Sequence, residues 1–529
     1  MISVFVAAAL LGQTQRGAAD TLAVFIGTDV GELDPHHAVS YADHLVANTL
    51  HLGLITYNER GEVVPGLADS WTMSADGRTY TFTLRSDAEW STGWPITSDD
   101  IVAGIERALN PNRPSPFVEK LSIIVNAEAF RSGGMTQSEV FGVTAPDKRT
   151  VVFTLSRRDV DFLHTLSHPV AKPAPASEPD VIANGRVTSG RYQVAGRRDE
   201  GLDLVPRGAG PSLRLIPVES AGRLWSESDG LDAYVSAAFP LISLPPIGSR
   251  GPEVRRDGGD ALYAYAVNTT RAPLDTLEAR HALSMAIYRP EVMRRVSIAG
   301  ASPATQFVSP SAMTYQQSYR TPFASLTLEE REAVAAALLS ERDYGVDNRF
   351  TVKLRIPTGD IHSDVADIVS EMWTRAGIDT QIVAAPMPEH WKALAEGDFD
   401  VAFVSWPGRR DTPRDSLEPL TSAGGPWNWS RYDFPGFGER LARAAESAKY
   451  EVRAGQYREA EKPLIEDQAL LALFFYQPLA LVSPSVGGWQ TNPAGIHPLD
   501  TLSLSSGRGR PDIGRPSIPT PIPSMGEDR

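Results

Sequence analysis

The chain is too long to fold around a single hydrophobic core. It has 529 residues, and single cores stop growing at roughly 250–300 residues, beyond which chains divide into domains. We therefore expect two or three domains. Short strand patterns and amphipathic helix patterns alternate along the sequence, and this alternation predicts the α/β class.

The charge balance and the lack of cysteine exclude several functions. Lys and Arg number 50 and Asp and Glu 65, giving a formal net charge of −15, so we expect no nucleic-acid partner, which would need a basic surface. No cysteine is present, which excludes disulfides, cysteine zinc sites, thiol nucleophiles and a lipid anchor on an N-terminal cysteine. The sequence contains no HExxH pair among its ten histidines, and it predicts neither a metal nor a cofactor.

Both ends of the chain are predicted to lie outside the folded domains. Residues 2–11 form an apolar run that is too short to span a bilayer, and small residues precede Asp20. We interpret residues 1–19 as a signal peptide cleaved near Ala19, although the usual positive charge before the apolar run is missing. Residues 505–529 are rich in Gly, Pro, Ser and Arg, which predicts a disordered tail.

Two segments nearly repeat each other, at 76–84 (DGRTYTFTL) and 147–155 (DKRTVVFTL). In each, a turn residue precedes apolar residues at every second position, as in a half-buried strand that leaves a hairpin. We interpret them as two strands of one small sheet. Helix starts are also marked, because Thr97 with Asp100 and Thr327 with Glu330 have the spacing of a capping box.

A series of short segments stands out in the order 53–57 (GLITY), 64–71 (VPGLADSW), 78–85 (RTYTFTLR), 90–100 (WSTGWPITSDD), 187–192 (VTSGRY), Asn268, 279–287 (ARHALSMAI), 397–402 (GDFDVA) and 486–489 (VGGW). In sequence and in order, these segments resemble the bacterial family 5 extracellular solute-binding proteins, and the resemblance runs from about residue 22 to residue 504. Within the family the chain resembles most the oligopeptide-binding branch, through residues 115–117 (SPF), 361–363 (IHS) and 390–392 (HWK).

The resemblance implies a two-lobe periplasmic-binding-protein fold of type II, similar to cluster C, with an additional accessory domain. Lobe I would be discontinuous, the accessory domain would hold the two near-repeated strands, and the ligand would lie between the lobes. The implied bounds are 20–45, 186–266 and 481–504 for lobe I, 46–185 for the accessory domain and 267–480 for lobe II. The resemblance further implies a periplasmic monomer that delivers a small peptide to an ABC permease and ATPase complex in the inner membrane.

Ten residues are candidates for the ligand site on this resemblance. They are Val30, Phe117, His362, Trp391, Ser405, Trp406, Arg409, Trp427, Trp429 and Tyr476. In peptide-binding relatives an acid three positions after the tryptophan at 406 holds the ligand ammonium, and an arginine three positions before it holds a carboxylate. This chain has Arg409 and Phe403 at those positions, whereas His362 matches a carboxylate-binding histidine.

Each candidate also has a purely structural interpretation. Core packing competes for the aromatic residues, helix capping competes for His362, and a solvated loop or an ion pair with Asp411 competes for Arg409. The ligand class therefore stays open between a peptide, a blocked peptide and an anionic solute that faces Arg409.

Functions outside transport were weighed as well. A sensor that presents its ligand to another membrane partner would have the same sequence features. A secreted glycoside hydrolase would need two carboxylates across a cleft, and Asp411 with Asp415, or Asp99 with Asp100, are the pairs available. Adjacent acids at a helix start more often cap the helix, and no other catalytic motif is present, so we expect a binding protein rather than an enzyme.

Overall fold

Strands and helices alternate throughout the structure, a computed structural model, which confirms the predicted α/β class. The structure describes residues 21–27, 29–134, 141–198, 201–218, 232–236, 252–256, 260–298, 300–309, 321–406, 413–420, 428–434, 436–447, 449–490 and 497–504. The predicted signal peptide and tail, and the candidates Arg409 and Trp427, lie outside these residues.

The strands in the described residues follow in chain order. They are β1 (Thr21–Ile26), β2 (Ile55–Tyr57), β3 (Val63–Pro65), β4 (Ala68–Met73), β5 (Thr79–Leu84), β6 (Val143–Asp147), β7 (Thr150–Thr154), β8 (Tyr192–Arg198), β9 (Gly201–Pro206), β10 (Ser212–Pro217), β11 (Ala233–Ser236), β12 (Glu253–Arg256), β13 (Ala261–Val267), β14 (Ser302–Pro303), β15 (Phe350–Pro357), β16 (Ile378–Ala385), β17 (Val401–Trp406), β18 (Leu470–Tyr476), β19 (Leu479–Val482), β20 (Val486–Gly487) and β21 (Ser503–Leu504).

The α-helices are numbered in the same way. They are α1 (Tyr41–Leu50), α2 (Ser98–Ala108), α3 (Ala127–Arg131), α4 (Phe162–Ser167), α5 (Leu277–Ala286), α6 (Arg289–Val296), α7 (Leu328–Ser340), α8 (Asp360–Arg375), α9 (Met387–Glu396), α10 (Arg414–Leu417), α11 (Phe437–Glu446) and α12 (Tyr450–Asp467). The capping boxes predicted for α2 and α7 are both formed.

A seven-stranded sheet in the order β12-β19-β11-β1-β10-β9-β8 forms the part that we refer to as lobe I. β1 pairs in parallel with β10 and β11 and lies inside the sheet. Residues Leu22, Val24 and Ile26 of β1 are buried against α1. Because parallel strands are covered on both faces, they read as almost continuous apolar runs, which explains the sequence of β1.

A six-stranded sheet in the order β14-β18-β13-β17-β15-β16 forms the part that we refer to as lobe II. All seven residues of β13 and all seven of β18 are buried. Apolar clusters cover both faces of this sheet: one includes Tyr265 and Trp373, and the other includes Leu262 and Phe399. Two cores on one sheet explain why its central strands carry no exposed face.

In chain order, the described strands pass from the sheet of lobe I to that of lobe II between β12 and β13, and return between β18 and β19. β13 begins at Ala261, whereas the sequence placed the start of lobe II at residue 267. β19 begins at Leu479, whereas the predicted end of lobe II was residue 480. The reason for both differences is that the pairing partners, rather than the apolar pattern, decide to which sheet a strand belongs.

A four-stranded sheet in the order β4-β5-β7-β6 forms the part that we refer to as the accessory domain. The near-repeated segments are β5 and β7, and they pair directly, with Tyr80 opposite Phe153 and Phe82 opposite Val151. The prediction of two strands in one small sheet is therefore confirmed. The predicted domain start at residue 46 falls inside α1, which packs on lobe I instead.

Gly104 in α2 lies against the backbone of the accessory domain. A Cβ atom added at Gly104 would lie 2.3 Å from the carbonyl oxygen of Lys172, so Gly104→Ala should destabilise the protein by about 2–3 kcal/mol. Gly455 in α12 is the matched control, since its nearest atom is the mobile tip of Arg458 at 3.7 Å. Gly455→Ala should stabilise its helix by up to about 1 kcal/mol, and urea unfolding of both variants checks the opposite signs.

Candidate functional site

The carboxyl ends of the parallel strands carry most of the predicted ligand residues. β1 leads into the segment with Val30, β15 into α8 with His362, and β16 into α9 with Trp391, while β17 ends at Ser405 and Trp406. Ligands of open α/β sheets bind outside the carboxyl ends of the strands. The fold thus brings these residues to the edge where a ligand would be expected.

Val30 is held by its own lobe. It is 2% exposed within the lobe I core. Its N–H donates to the carboxylate of Asp29 at 2.7 Å, and its carbonyl accepts a hydrogen bond from Arg197. Both backbone groups therefore have partners within the chain in this structure, and Val30 shapes the site through packing.

Phe117 lies where the accessory domain meets lobe I. Its ring centroid is 5.3 Å from that of His44, on α1, and 4.7 Å from that of His168. Phe117 precedes a 3₁₀ turn, Val118–Leu121. The turn brings Lys120 to lobe II, where its Nζ lies 2.6 Å from Glu418. Phe117 is therefore close to the boundary of all three parts.

Four predicted residues join one continuous group of aromatic rings in lobe II, which we call the aromatic array. Consecutive ring centroids are 4.4 to 6.3 Å apart, within the range of favourable aromatic pairs. The array consists of Trp429, Trp391, His390, Phe403, His362, Tyr263, Phe474 and Tyr476.

Four members of the array were not among the predicted ligand residues: Tyr263, His390, Phe403 and Phe474. Three of them lie on β13, β17 and β18, which are neighbours in the sheet. Their strands pair Tyr263 with Phe474 and place Phe403 opposite Tyr265. The sequence signal that could have found them is the concentration of aromatic residues in three long buried strands, but their register was needed to align the rings.

His362 is buried at the centre of the array. Its Nδ1 lies 3.1 Å from the Tyr263 hydroxyl, and its ring centroid lies 4.4 Å from that of Phe403. Burial, assisted by the nearby His390, lowers the pKa of His362 to about 3. The ring is therefore neutral near pH 7. The alternative of a helix cap is wrong, because the N-cap of α8 is Gly359.

Trp391 and Trp429 stack on each other at 5.8 Å with an interplanar angle of 28°. Both are partly buried and pack against the second core of lobe II. The remaining exposed surface of the pair leaves room for a ligand contact. Core packing and ligand binding are thus compatible for these two side chains.

Tyr476 and Ser405 lie together where β18 and β17 end. The Tyr476 hydroxyl and the Ser405 side chain share a hydrogen bond, and burial raises the pKa of Tyr476 to about 12. The backbone of Trp406 pairs with that of Leu262 across from β13. The side chain of Trp406 lies outside the described part of the chain, as do Arg409 and Trp427.

The acids considered for glycoside hydrolysis have structural partners where they are described. Asp100 caps α2 and accepts from Trp90 Nε1 at 3.3 Å, while Asp99 pairs with Lys148. Asp411 and the side chain of Asp415 lie outside the described residues. Within the described residues, no group of three or more acids and histidines has the geometry of a metal site.

Comparison with known families identifies the fold. The pattern of the bacterial extracellular solute-binding proteins, family 5 (middle region), matches residues 62–211 and 232–428. The chain belongs to this family. The match covers most of the accessory domain, the middle of lobe I and much of lobe II.

Two family 5 proteins of Escherichia coli illustrate how far the similarity extends. The periplasmic murein peptide-binding protein MppA is 29% identical over 519 residues, covering 93% of this chain and 94% of its own length. The periplasmic oligopeptide-binding protein OppA is 27% identical over 500 residues, covering 90% of each chain. Among the described residues no helix combines the length and the apolar character needed to cross a membrane.

Solved structures of a family 5 member also indicate the arrangement of the lobes. A structure of the Escherichia coli murein tripeptide binding protein MppA superposes with a TM-score of 0.83, at 28% identity and over 92% of this chain and 98% of that one. The unliganded open form of MppA covers 92% of this chain and 97% of its own, at 26% identity, but its TM-score is only 0.63. The chain as a whole thus superposes less well on the open form, and we call the arrangement in this structure, in which the accessory domain contacts lobe II, closed.

Proposed function

We propose that the chain is the substrate-binding component of an ABC importer and that it captures a peptide or peptide-like ligand between lobes I and II. The observation that carries this proposal is similarity over at least 90% of the length of two periplasmic proteins whose names state peptide binding. We further propose that the protein is exported to the periplasm, is a monomer, and delivers its ligand to a membrane permease and ATPase complex.

Capture would follow from closure of the two lobes. The described strands pass between the lobes at two points of the chain order, from β12 to β13 and from β18 to β19, and two such crossings suit a hinge. A ligand that contacts both lobes only when they meet shifts the population to the closed form, without any covalent step. Exclusion of water then strengthens the polar contacts inside the cleft.

The proposed ligand residues divide between the two sides of the cleft. Val30 and Phe117 belong to lobe I and the accessory domain, and the others described belong to lobe II, namely His362, Trp391, Ser405, Trp406, Trp429 and Tyr476. The aromatic array offers stacking and apolar surface, and neutral His362 offers no positive charge. We therefore propose that apolar contact dominates at this side, and that Arg409 is the cation available to an anionic group.

Thermal unfolding of the purified chain with pooled ligands tests the proposal. The pools are peptides of two to six residues, blocked peptides, oligosaccharides and metal chelates. A ligand at 100 times its Kd adds about 2.7 kcal/mol to the folded state, which raises the Tm by roughly 2–4 °C for a chain of this size. A shift with peptides supports the proposal, and a shift only with sugars or chelates contradicts it.

The stacked tryptophans supply a test of the site itself. Trp391→Leu should weaken binding of the peptide pool that gives the largest shift by about tenfold, because it removes a ring face and leaves Trp429 without its partner. Trp94→Leu is the matched control, since Trp94 is 73% exposed on the accessory domain. Titration calorimetry on both variants decides, and equal affinities would remove Trp391 from the site.

A further inference from the structure

Four charged side chains alternate in sign across the boundary between the accessory domain and lobe II. Arg414 Nη1 lies 2.5 Å from Asp159 Oδ2. The same guanidinium contacts Glu418 one helical turn away at 2.9 Å. Lys120 Nζ then contacts the other oxygen of Glu418 at 2.6 Å. The series crosses the boundary twice, because Asp159 and Lys120 belong to the accessory domain.

These ion pairs are shielded from solvent. The exposed fractions are 2% for the side chain of Asp159, 13% for Arg414 and Glu418, and 17% for Lys120. Exposed ion pairs contribute little because water and salt screen them. Partly buried pairs with several hydrogen bonds hold their partners more firmly, so this series is more than a surface contact.

Two further hydrogen bonds reinforce the same boundary. The Tyr457 hydroxyl, on α12, donates to Asp161 Oδ2 at 3.0 Å. The N–H of Val160 donates to the carbonyl of Ala445, on α11, at 3.0 Å. The acceptor and donor on the accessory side lie directly after Asp159, so three consecutive residues of this domain contact three helices of lobe II. We call all these contacts the latch.

The latch exists only when the lobes are closed, because the accessory domain is fixed to lobe I. Arg107 of α2 donates to Asp34 of lobe I at 2.9 and 2.7 Å in a buried pair. Backbone bonds join the two parts as well, for example Ser91 N–H to Thr188 O at 2.8 Å. Lobe II is joined to lobe I by the two hinge connections. Opening at the hinge therefore separates lobe II from the accessory domain and breaks the latch.

The latch is also joined to the ligand cleft through the chain. β17 ends at Trp406, and α10 begins at Arg414, eight positions later. We propose that the accessory domain of this protein serves as a closure latch, whose contacts Asp159–Arg414–Glu418–Lys120 and Asp161–Tyr457 set the fraction of molecules whose cleft is closed. This inference rests on the proposed function only in that a binding protein must close; it concerns residues that touch no ligand.

A cross-linking rate tests the latch without any ligand. Arg157 and Glu446 face each other across the same boundary at 3.9 Å and are 44% and 46% exposed. Since the chain has no cysteine, Arg157→Cys with Glu446→Cys provides the only two thiols. A short bismaleimide joins them only in the closed form, so the cross-linking rate is proportional to the closed fraction, even when that fraction is small.

Adding Arg414→Gln to this pair should slow cross-linking about tenfold or more. Arg294→Gln is the matched control, because Arg294 pairs with Glu291 on the surface of lobe II and is 71% exposed; it should leave the rate unchanged. Reaction with a monofunctional maleimide corrects for thiol reactivity. An unchanged rate in folded Arg414→Gln overturns the latch.

A second variant keeps the test decisive if Arg414→Gln fails to fold. Lys120→Gln removes the outer, 17% exposed cation of the series and should slow cross-linking severalfold; a rate equal to that of the parent overturns the proposal. Because no ligand is present, this result is independent of the thermal-shift experiment. If cross-linking supports the latch but no peptide pool raises the Tm, only the proposed ligand class is overturned.

Discussion

Replacing Arg107 with leucine is expected to destabilise the folded protein by about 3–5 kcal/mol. Arg107 and Asp34 form a bidentate pair whose side chains are 7% and 1% exposed. Hydrogen bonds from His37 and Arg107 outweigh burial and hold the pKa of Asp34 far below its usual range. Without the guanidinium, a carboxylate would stay in the interior with the His36 N–H, the His37 side chain and, at 3.5 Å, the exposed Arg113 as remaining partners.

Urea unfolding at pH 7 measures this loss of stability. A double variant and a surface control show whether the unpaired charge is its cause. The double variant Asp34→Asn with Arg107→Leu should lose less than the sum of the single losses, because the unpaired charge is gone. Arg60→Leu should change stability by less than about 0.5 kcal/mol, since Arg60 is 67% exposed beside Glu62. A loss below about 1 kcal/mol for Arg107→Leu would show that Asp34 finds adequate compensation elsewhere.

Acidification from pH 7 to pH 4.5 should destabilise the protein by on the order of 10 kcal/mol. Five histidines are at most 7% exposed, and burial lowers the pKa of each from 6.5; they are His36 and His390 (to about 4) and His51, His362 and His497 (to about 3). Because the folded pKa lies below the unfolded one, the unfolded chain takes up protons first as the pH falls below 6.5. Stability is present above pH 6.5 and is lost towards pH 3 to 4, at about 2 kcal/mol for each histidine by pH 4.5.

His51 provides the control for the acid effect. It is fully buried, and neither of its ring nitrogens has a hydrogen-bond partner among the described residues. His51→Leu should therefore be nearly neutral at pH 7 and about 2 kcal/mol more stable than the parent at pH 4.5. Urea midpoints of both proteins at the two pH values decide. If the two proteins lose equal stability on acidification, protonation of buried histidine is not the cause.

Short sequence patterns predicted those strands and helix starts whose conformation depends on residues that are near one another in the sequence. The period-two alternation around Phe82 and Phe153 is set by one buried face of a small sheet, and the capping box of Thr327 with Glu330 closes within one turn. The sheet to which β13 and β19 belong is decided by pairing with strands far away in the chain, and these strands begin a few residues from the predicted bounds of lobe II. For the same reason, the sequence shows Phe403 and His390 but does not predict that their rings are in contact.

The latch and the buried pair Asp34–Arg107 show a second reason why the sequence does not predict contacts between domains. Lys120 and Glu418 are 298 positions apart, and Arg107 and Asp34 are 73 apart. A charged residue on an amphipathic helix has the same local signature whether it faces water or a partner. Whether such a residue faces water or a partner depends on how one domain docks on another, and the periodicity of the sequence does not indicate this.

The position of β19 has a consequence for the order in which the chain gains structure. β19 lies between β11 and β12, and β12 pairs only with β19 among the described strands. The sheet of lobe I therefore stays incomplete until residues 479–482 have been synthesised, although its first strand begins at Thr21. The accessory sheet, in contrast, is continuous between residues 68 and 154 and can form early. A nascent chain of this protein thus carries an unfinished first lobe until β19 has been synthesised, with a gap between β11 and β12 that residues 479–482 fill.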